Sequence, residues 1–132
     1  MESIKFTVYN FNAMPKGRPR FAISKGGGHS YTPQKTRAAE QELLLLSRRY
    51  APRTPFDAPL RVRLEFKISR PKKPAREFPR ADIDNYVKLV FDAYNGVFWN
   101  DDTQIVKVLA TKEYTREAPC IIVEISDFVG EL

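Results

Sequence analysis

Residues 60–69 read Leu-Arg-Val-Arg-Leu-Glu-Phe-Lys-Ile-Ser, and alternation this strict leaves one solution, a strand with one buried and one wetted face. Leu60, Val62, Leu64, Phe66 and Ile68 form the inner face; Arg61, Arg63, Glu65 and Lys67 form the outer. Such a strand needs neighbours beside it and a layer over its apolar face. The neighbours are legible. Ile4, Phe6 and Val8 alternate with Lys5, Thr7 and Tyr9, and 103–114 and 120–125 read as two further strands joined near Arg116-Glu-Ala-Pro119. Arg20 to Ser24 reads as a short strand, Lys25 to His29 as a glycine-rich hairpin loop, and Ser30 to Thr32 as its return.

The covering layer comes from two helices. Thr32-Pro33 pairs a cap residue with a first-turn proline, and the helix it opens runs to about Tyr50, with Leu43, Leu44 and Leu46 towards the core. Pro52 and Pro55 end it. Ile83, Val87, Val90, Phe91 and Tyr94 recur at helical spacing, so a second amphipathic helix is expected, with Asp82 at its N-cap and Asn95-Gly96 as its stop. The order β-β-β-α-β-α-β-β predicts an α+β fold: one small domain over 1–132, a mixed, mainly antiparallel sheet packed with two main helices.

Charge divides the chain. Residues 1–80 carry 18 Lys/Arg against 6 Asp/Glu, while 81–132 carry 4 against 10. A basic first part predicts a polyanionic partner, and nucleic acid fits best. Its cations gather in two extended, proline-bearing stretches, which nominate Lys16, Arg18 and Arg20 in the first and Lys72, Lys73, Arg76 and Arg80 in the second as DNA contacts. One cysteine, Cys120, excludes an internal disulfide, and with His29 the only histidine a Cys/His zinc site is not expected. Met-Glu-Ser-Ile-Lys-Phe lacks the apolar core of a signal peptide, and the Leu43–Leu46 run is too short to span a bilayer; the expectation is a cytoplasmic protein with no membrane partner.

The densest chemistry lies between Asp82 and Asp102. Asp82, Asp84, Asp92, Asp101, Asp102 and Lys88 fall within twenty-one residues. A bland account exists: Asp82 as a cap, and Asp84–Lys88–Asp92 as a solvated ladder of i, i+4 pairs. The alternative rests on the return path. The helix rises about 16 Å from Asp84 to Asn95, and an extended segment from Gly96 to Asp102 spans about 20 Å. If the glycine turn reverses the chain, Asp102 comes back beside Asp82 and Asp84. Converging carboxylates repel unless a cation sits between them, and all-oxygen ligands select a hard ion such as Mg²⁺ or Mn²⁺. Asp82, Asp84 and Asp102 are then the metal ligands, and Lys88 offsets transition-state charge. Asp101 is a possible ligand but more in keeping with an outer position or a structural role, since neighbours in an extended segment point to opposite sides. Asp92 is assigned to Lys88. No Ser/His/Asp set is present.

Asp82-x-Asp84-Asn85-x-x-Lys88, then Asp92, Asn95-Gly96 and Asp101-Asp102-x-Gln104, closely resembles the signature of the RusA family of Holliday junction resolvases. Pro15-Lys-Gly-Arg-Pro-Arg20 is similar to that family's basic N-terminal motif. The resemblance implies a homodimeric endonuclease of bacteria and prophages that cuts four-way DNA junctions with Mg²⁺ or Mn²⁺. Matched by position, Asp82, Asp84 and Asp102 are its metal-binding catalytic aspartates and Lys88 its essential lysine. A broader flap or branched-DNA nuclease and a non-catalytic junction-binding protein are the alternatives.

Overall fold

The computed structural model describes residues 3–14, 20–24, 27–31 and 34–128. Thr32, Pro33, Lys25 and Gly26 lie outside them, as do Lys16 and Arg18. The chain forms β1 (Ile4–Tyr9), β2 (Arg20–Ser24), β3 (Gly27–Tyr31), α1 (Gln34–Ser47), β4 (Leu60–Ser69), α2 (Ile83–Tyr94), β5 (Ile105–Thr115) and β6 (Cys120–Asp127), with short 3-10 turns at Arg48–Tyr50 and Asp102–Gln104. That is the order expected. The hairpin differs in detail: Gly27, Gly28 and His29 belong to the return strand, because β2 and β3 pair from Arg20↔Tyr31 to Ser24↔Gly27 and the connection is only residues 25–26.

The main sheet runs β1-β6-β4-β5. β6 is antiparallel to both β1 and β4, whereas β4 and β5 are parallel, in register from Leu60↔Ile105 to Ser69↔Thr115. The alternation in β4 is realised residue by residue: all five inner-face side chains are buried. Across the outer face Lys67 pairs with Glu113, and Arg61 Nε donates to Ser126 Oγ at 2.8 Å.

The helices cover the inner face, each rotated slightly from the stripe expected. In α1 the buried line is Thr36, Ala39, Leu43 and Ser47; Leu44 packs partly, while Leu46 is 39% exposed. Small residues on that line let α1 approach α2 closely. Ser47 Oγ, donating to the Leu43 carbonyl at 2.7 Å, shares a 2.7 Å hydrogen bond with the Tyr94 hydroxyl. In α2 the buried set is Tyr86, Leu89, Val90, Ala93 and Tyr94, with Val87 and Phe91 at the margin. Tyr86 sits on Phe66 with ring centroids 5.4 Å apart, which turns the helix away from Ile83.

The end of α2 is built as expected. Gly96 takes φ +80°, a conformation that costs a glycine nothing, and its N–H donates to the Trp99 carbonyl at 2.7 Å. Trp99 Nε1 donates to Asn95 Oδ1 at 2.6 Å, and Phe98 and Trp99 are fully buried against Tyr94.

Candidate active site

β4, α2 and β5 form a βαβ unit, and this settles where each acidic residue stands. A helix linking two parallel strands runs antiparallel to them, so its N-terminus lies at their carboxyl ends. Lys112, on the inner face of β5, marks the place. Its Nζ donates to the carbonyls of Pro79 at 2.8 Å and Ala81 at 2.6 Å and lies 5.7 Å from the centre of the Phe78 ring. The lead-in to α2 is thus tied to β5 seven residues beyond the strand's start.

Asp82 occupies the N-cap position, but its side chain makes no capping hydrogen bond; Asp84 follows in the first turn. Both are exposed. Directly before them runs the loop 70–80, in which Arg70, Lys72, Lys73, Arg76 and Arg80 are all exposed and Arg76 lies over Phe78 at 6.0 Å. Arg70, Arg76, Tyr114 and Arg116 line a groove of about 480 Å³ here, and a smaller one beside it adds Lys72. Two exposed carboxylates therefore follow directly on a loop of exposed cations, at the strand ends where open α/β sheets bind ligands.

Asp101 and Asp102 stand at the other end. Asp101 caps the 3-10 turn: its Oδ2 accepts from the Thr103 N–H at 3.1 Å, and Gln104 Oε1 reaches back to the Asp101 N–H at 2.9 Å. Hydrogen bonding from Thr103 holds the Asp101 carboxyl below the ordinary carboxylate range. The Gln104 amide donates to the Phe56 and Ala58 carbonyls, and Asn100 to Asp57, so the segment is fastened to the chain entering β4. From Ile105 to Lys112 β5 covers about 23 Å at ~3.3 Å per residue. Asp102 lies roughly that far from Asp82.

This corrects the expected return path. The chain does reverse at Gly96, but residues 97–102 spend their length burying Phe98 and Trp99 and capping the turn; the strand that travels back is β5. Among the described residues, no three of His, Cys, Asp and Glu gather closely enough to hold one ion. Asp82 and Asp84 stand two residues apart at the head of α2, and Asp102 stands at the start of β5, at the other end of the unit. Lys88 stands one turn further along α2 in a loose 3.9 Å ion pair with Asp92, as its spacing suggests. Arg20 opens β2. Lys112, Arg70 and Arg116 were not singled out as site residues from sequence; only for Arg70, first in the basic loop, was there a signal.

The family model for "Endodeoxyribonuclease RusA" matches residues 10–126. The chain belongs to the RusA endodeoxyribonuclease family. It is also 33% identical over 133 residues to a Bacillus subtilis (strain 168) protein called "Uncharacterized protein YqaN", covering 89% of this chain and 92% of that one. Membership of the RusA family makes an endodeoxyribonuclease of the Holliday junction resolvase kind the activity of the class. No helix among the described residues is long and apolar enough to cross a membrane.

Proposed function

We propose that this RusA-family chain is a Mg²⁺- or Mn²⁺-dependent endodeoxyribonuclease that resolves four-way DNA junctions by paired nicks, working as a homodimer in the cytoplasm. The observation that carries the reading is the junction of Asp82 and Asp84 with the basic loop 70–80 at the head of α2. The Asp82 side chain is not spent on capping, and both carboxylates face solvent where a phosphate drawn in by Arg76, Arg80, Lys72 and Lys73 would lie.

The donors fit a hard divalent ion in chemistry, since they are carboxylate oxygens, and fall short of it in number within one chain. When bound there, the ion supplies an activated water and neutralises charge on the phosphate. The chain's own residues do the rest. Asp82 and Asp84 would hold the ion. Lys88, held loosely by Asp92, is free to turn its ammonium towards negative charge that builds on the phosphoryl oxygens. Lys112 is a positioning residue: it holds Pro79 and Ala81 and so fixes both aspartates relative to the loop. Asp102, about 20 Å away in its own chain, contributes as a ligand only to the site of a partner subunit. A dimer with two such sites matches the near two-fold symmetry of a four-way junction.

Incubation of the protein with a synthetic four-way junction, with Mg²⁺ and with EDTA, tests this. Paired, symmetric nicks that EDTA abolishes are expected. An uncut junction across Mg²⁺ and Mn²⁺ concentrations and several junction sequences removes the proposal.

A further inference from the structure

Both helices pack on the inner face of the main sheet, and the outer face carries polar side chains in rows set by the register. Towards the end of β4 the pattern is conventional: Lys67 stands across from Glu113 of β5, and the two form an ion pair. At the start of β4 the same two strands set Arg61 across from Lys107, like charge against like. Directly opposed like charges destabilise a sheet. A register shift between Leu60 and Arg61 creates this pairing, because it leaves Val106 out of the ladder and puts Lys107 beside Arg61. Bulges re-aim side chains and are rare between parallel strands.

Neither cation is neutralised. Among the described residues no carboxylate forms an ion pair with Arg61 or Lys107. Arg61 Nε donates to Ser126 Oγ at 2.8 Å, which uses one of the five guanidinium donors and fixes the plane of the rest. Arg63, one row on, is only loosely held, its Nε 3.8 Å from Glu65. The three cations line a cleft of about 250 Å³ with Ser3, Ser126 and Glu124. Three positive charges and two hydroxyls thus meet a single carboxylate.

We infer that this cleft binds a phosphate of a DNA backbone, which makes the outer face of the sheet a second DNA contact. A pocket for a small ligand buries most of its occupant. This cleft instead opens onto a flat face, where a polymer lying across the sheet presents one phosphate at a time. Lys107 precedes Lys112 by five residues, about 17 Å of strand at ~3.3 Å per residue, and points to the opposite face. The backbone it grips is therefore a different stretch of the junction from the one at the head of α2. The inference rests on the DNA-binding reading above.

The salt dependence of binding to a synthetic four-way junction, measured in EDTA, tests it. Each phosphate contact adds about 0.9 to the steepness of log K against log salt concentration. Lys107→Gln should lower the steepness by about that amount, on junctions of any sequence. Lys67→Gln, which removes a charge that Glu113 already neutralises, should keep the wild-type steepness. Lys107→Gln should also melt no lower than the wild type, since it relieves the opposed charges. Unchanged steepness for Lys107→Gln, an equal fall for Lys67→Gln, or a markedly lower melting temperature overturns the site. If inorganic phosphate shifts the Lys107 amide in NMR spectra while the steepness is unaltered, the cleft is a small-anion site and the DNA assignment falls. Cleavage in Mg²⁺ is scored separately. A wild type that loses steepness on Lys107→Gln but never cuts sinks the nuclease reading alone; one that cuts while Lys107→Gln keeps its steepness sinks this contact alone.

Discussion

Replacing Lys112 with methionine tests the contact that ties the lead-in to α2, directly before Asp82 and Asp84, to β5. The methionine keeps most of the stem's packing and deletes the ammonium, with its hydrogen bonds to the Pro79 and Ala81 carbonyls and its place beside Phe78. A hydrogen bond to a charged group is worth about 1.5–3 kcal/mol. The site is only part-buried, so water replaces much of this, and about 2 kcal/mol for the whole contact is a sober figure. At ~1.4 kcal/mol per tenfold, the docked fraction of the α2 lead-in falls about thirtyfold relative to undocked forms. The loss is local, since loops can open without global unfolding. Hydrogen exchange at residues 83–86 should quicken while amides in β4 keep their protection. Junction cleavage should drop by up to that factor with junction binding little changed. Wild-type exchange at the head of α2, or undiminished cleavage, refutes the positioning role.

Other expectations follow from the same contacts. Asp84→Asn should bind the junction and fail to cut it; retained cleavage in a gel assay takes Asp84 out of the mechanism. Gly96→Ala has open space for its Cβ, so its cost is the positive φ alone, about 1 kcal/mol by chemical denaturation, and a cost several times larger shows a clash that the geometry lacks. Burial pushes the Tyr94 hydroxyl well above its ordinary value of 10, outweighing the Ser47 hydrogen bond that lowers it. Its proton is then kept in the folded chain and lost in the unfolded one, so stability holds below about pH 10 and falls as pH rises beyond it. Tyr94→Phe should flatten that fall in a pH series of melting temperatures, and an unchanged slope contradicts the assignment.

What the sequence made legible is what depends on local pattern. The alternation in 60–69 specified β4 to the residue, and Asn95-Gly96 marked the end of α2. Asp101 as a structural residue was also within reach, since Gln104 stands at capping-box spacing from it. The misplacement of Asp102 has a specific cause. Both a return segment at 97–102 and a strand from 105 satisfy the chain's reach, and only the parallel pairing of β4 with β5 decides between them. Parallel register is a long-range property with no local signature. Lys112 was hidden for a related reason: its partners are backbone carbonyls of Pro79 and Ala81, which no side-chain motif records.

Whether the carboxylate set is completed between two subunits can be read from a mixed dimer. Asp84→Asn and Asp102→Asn chains, each expected to be inactive alone, are co-expressed with different tags and the heterodimer isolated. If Asp102 serves the partner's site, one of the two sites regains every wild-type ligand, and the heterodimer should nick a four-way junction in Mg²⁺ at about half the wild-type rate. If the heterodimer is as inactive as both parents while the wild type cuts, each site draws its ligands from a single chain, and the proposal that Asp102 serves the partner is wrong.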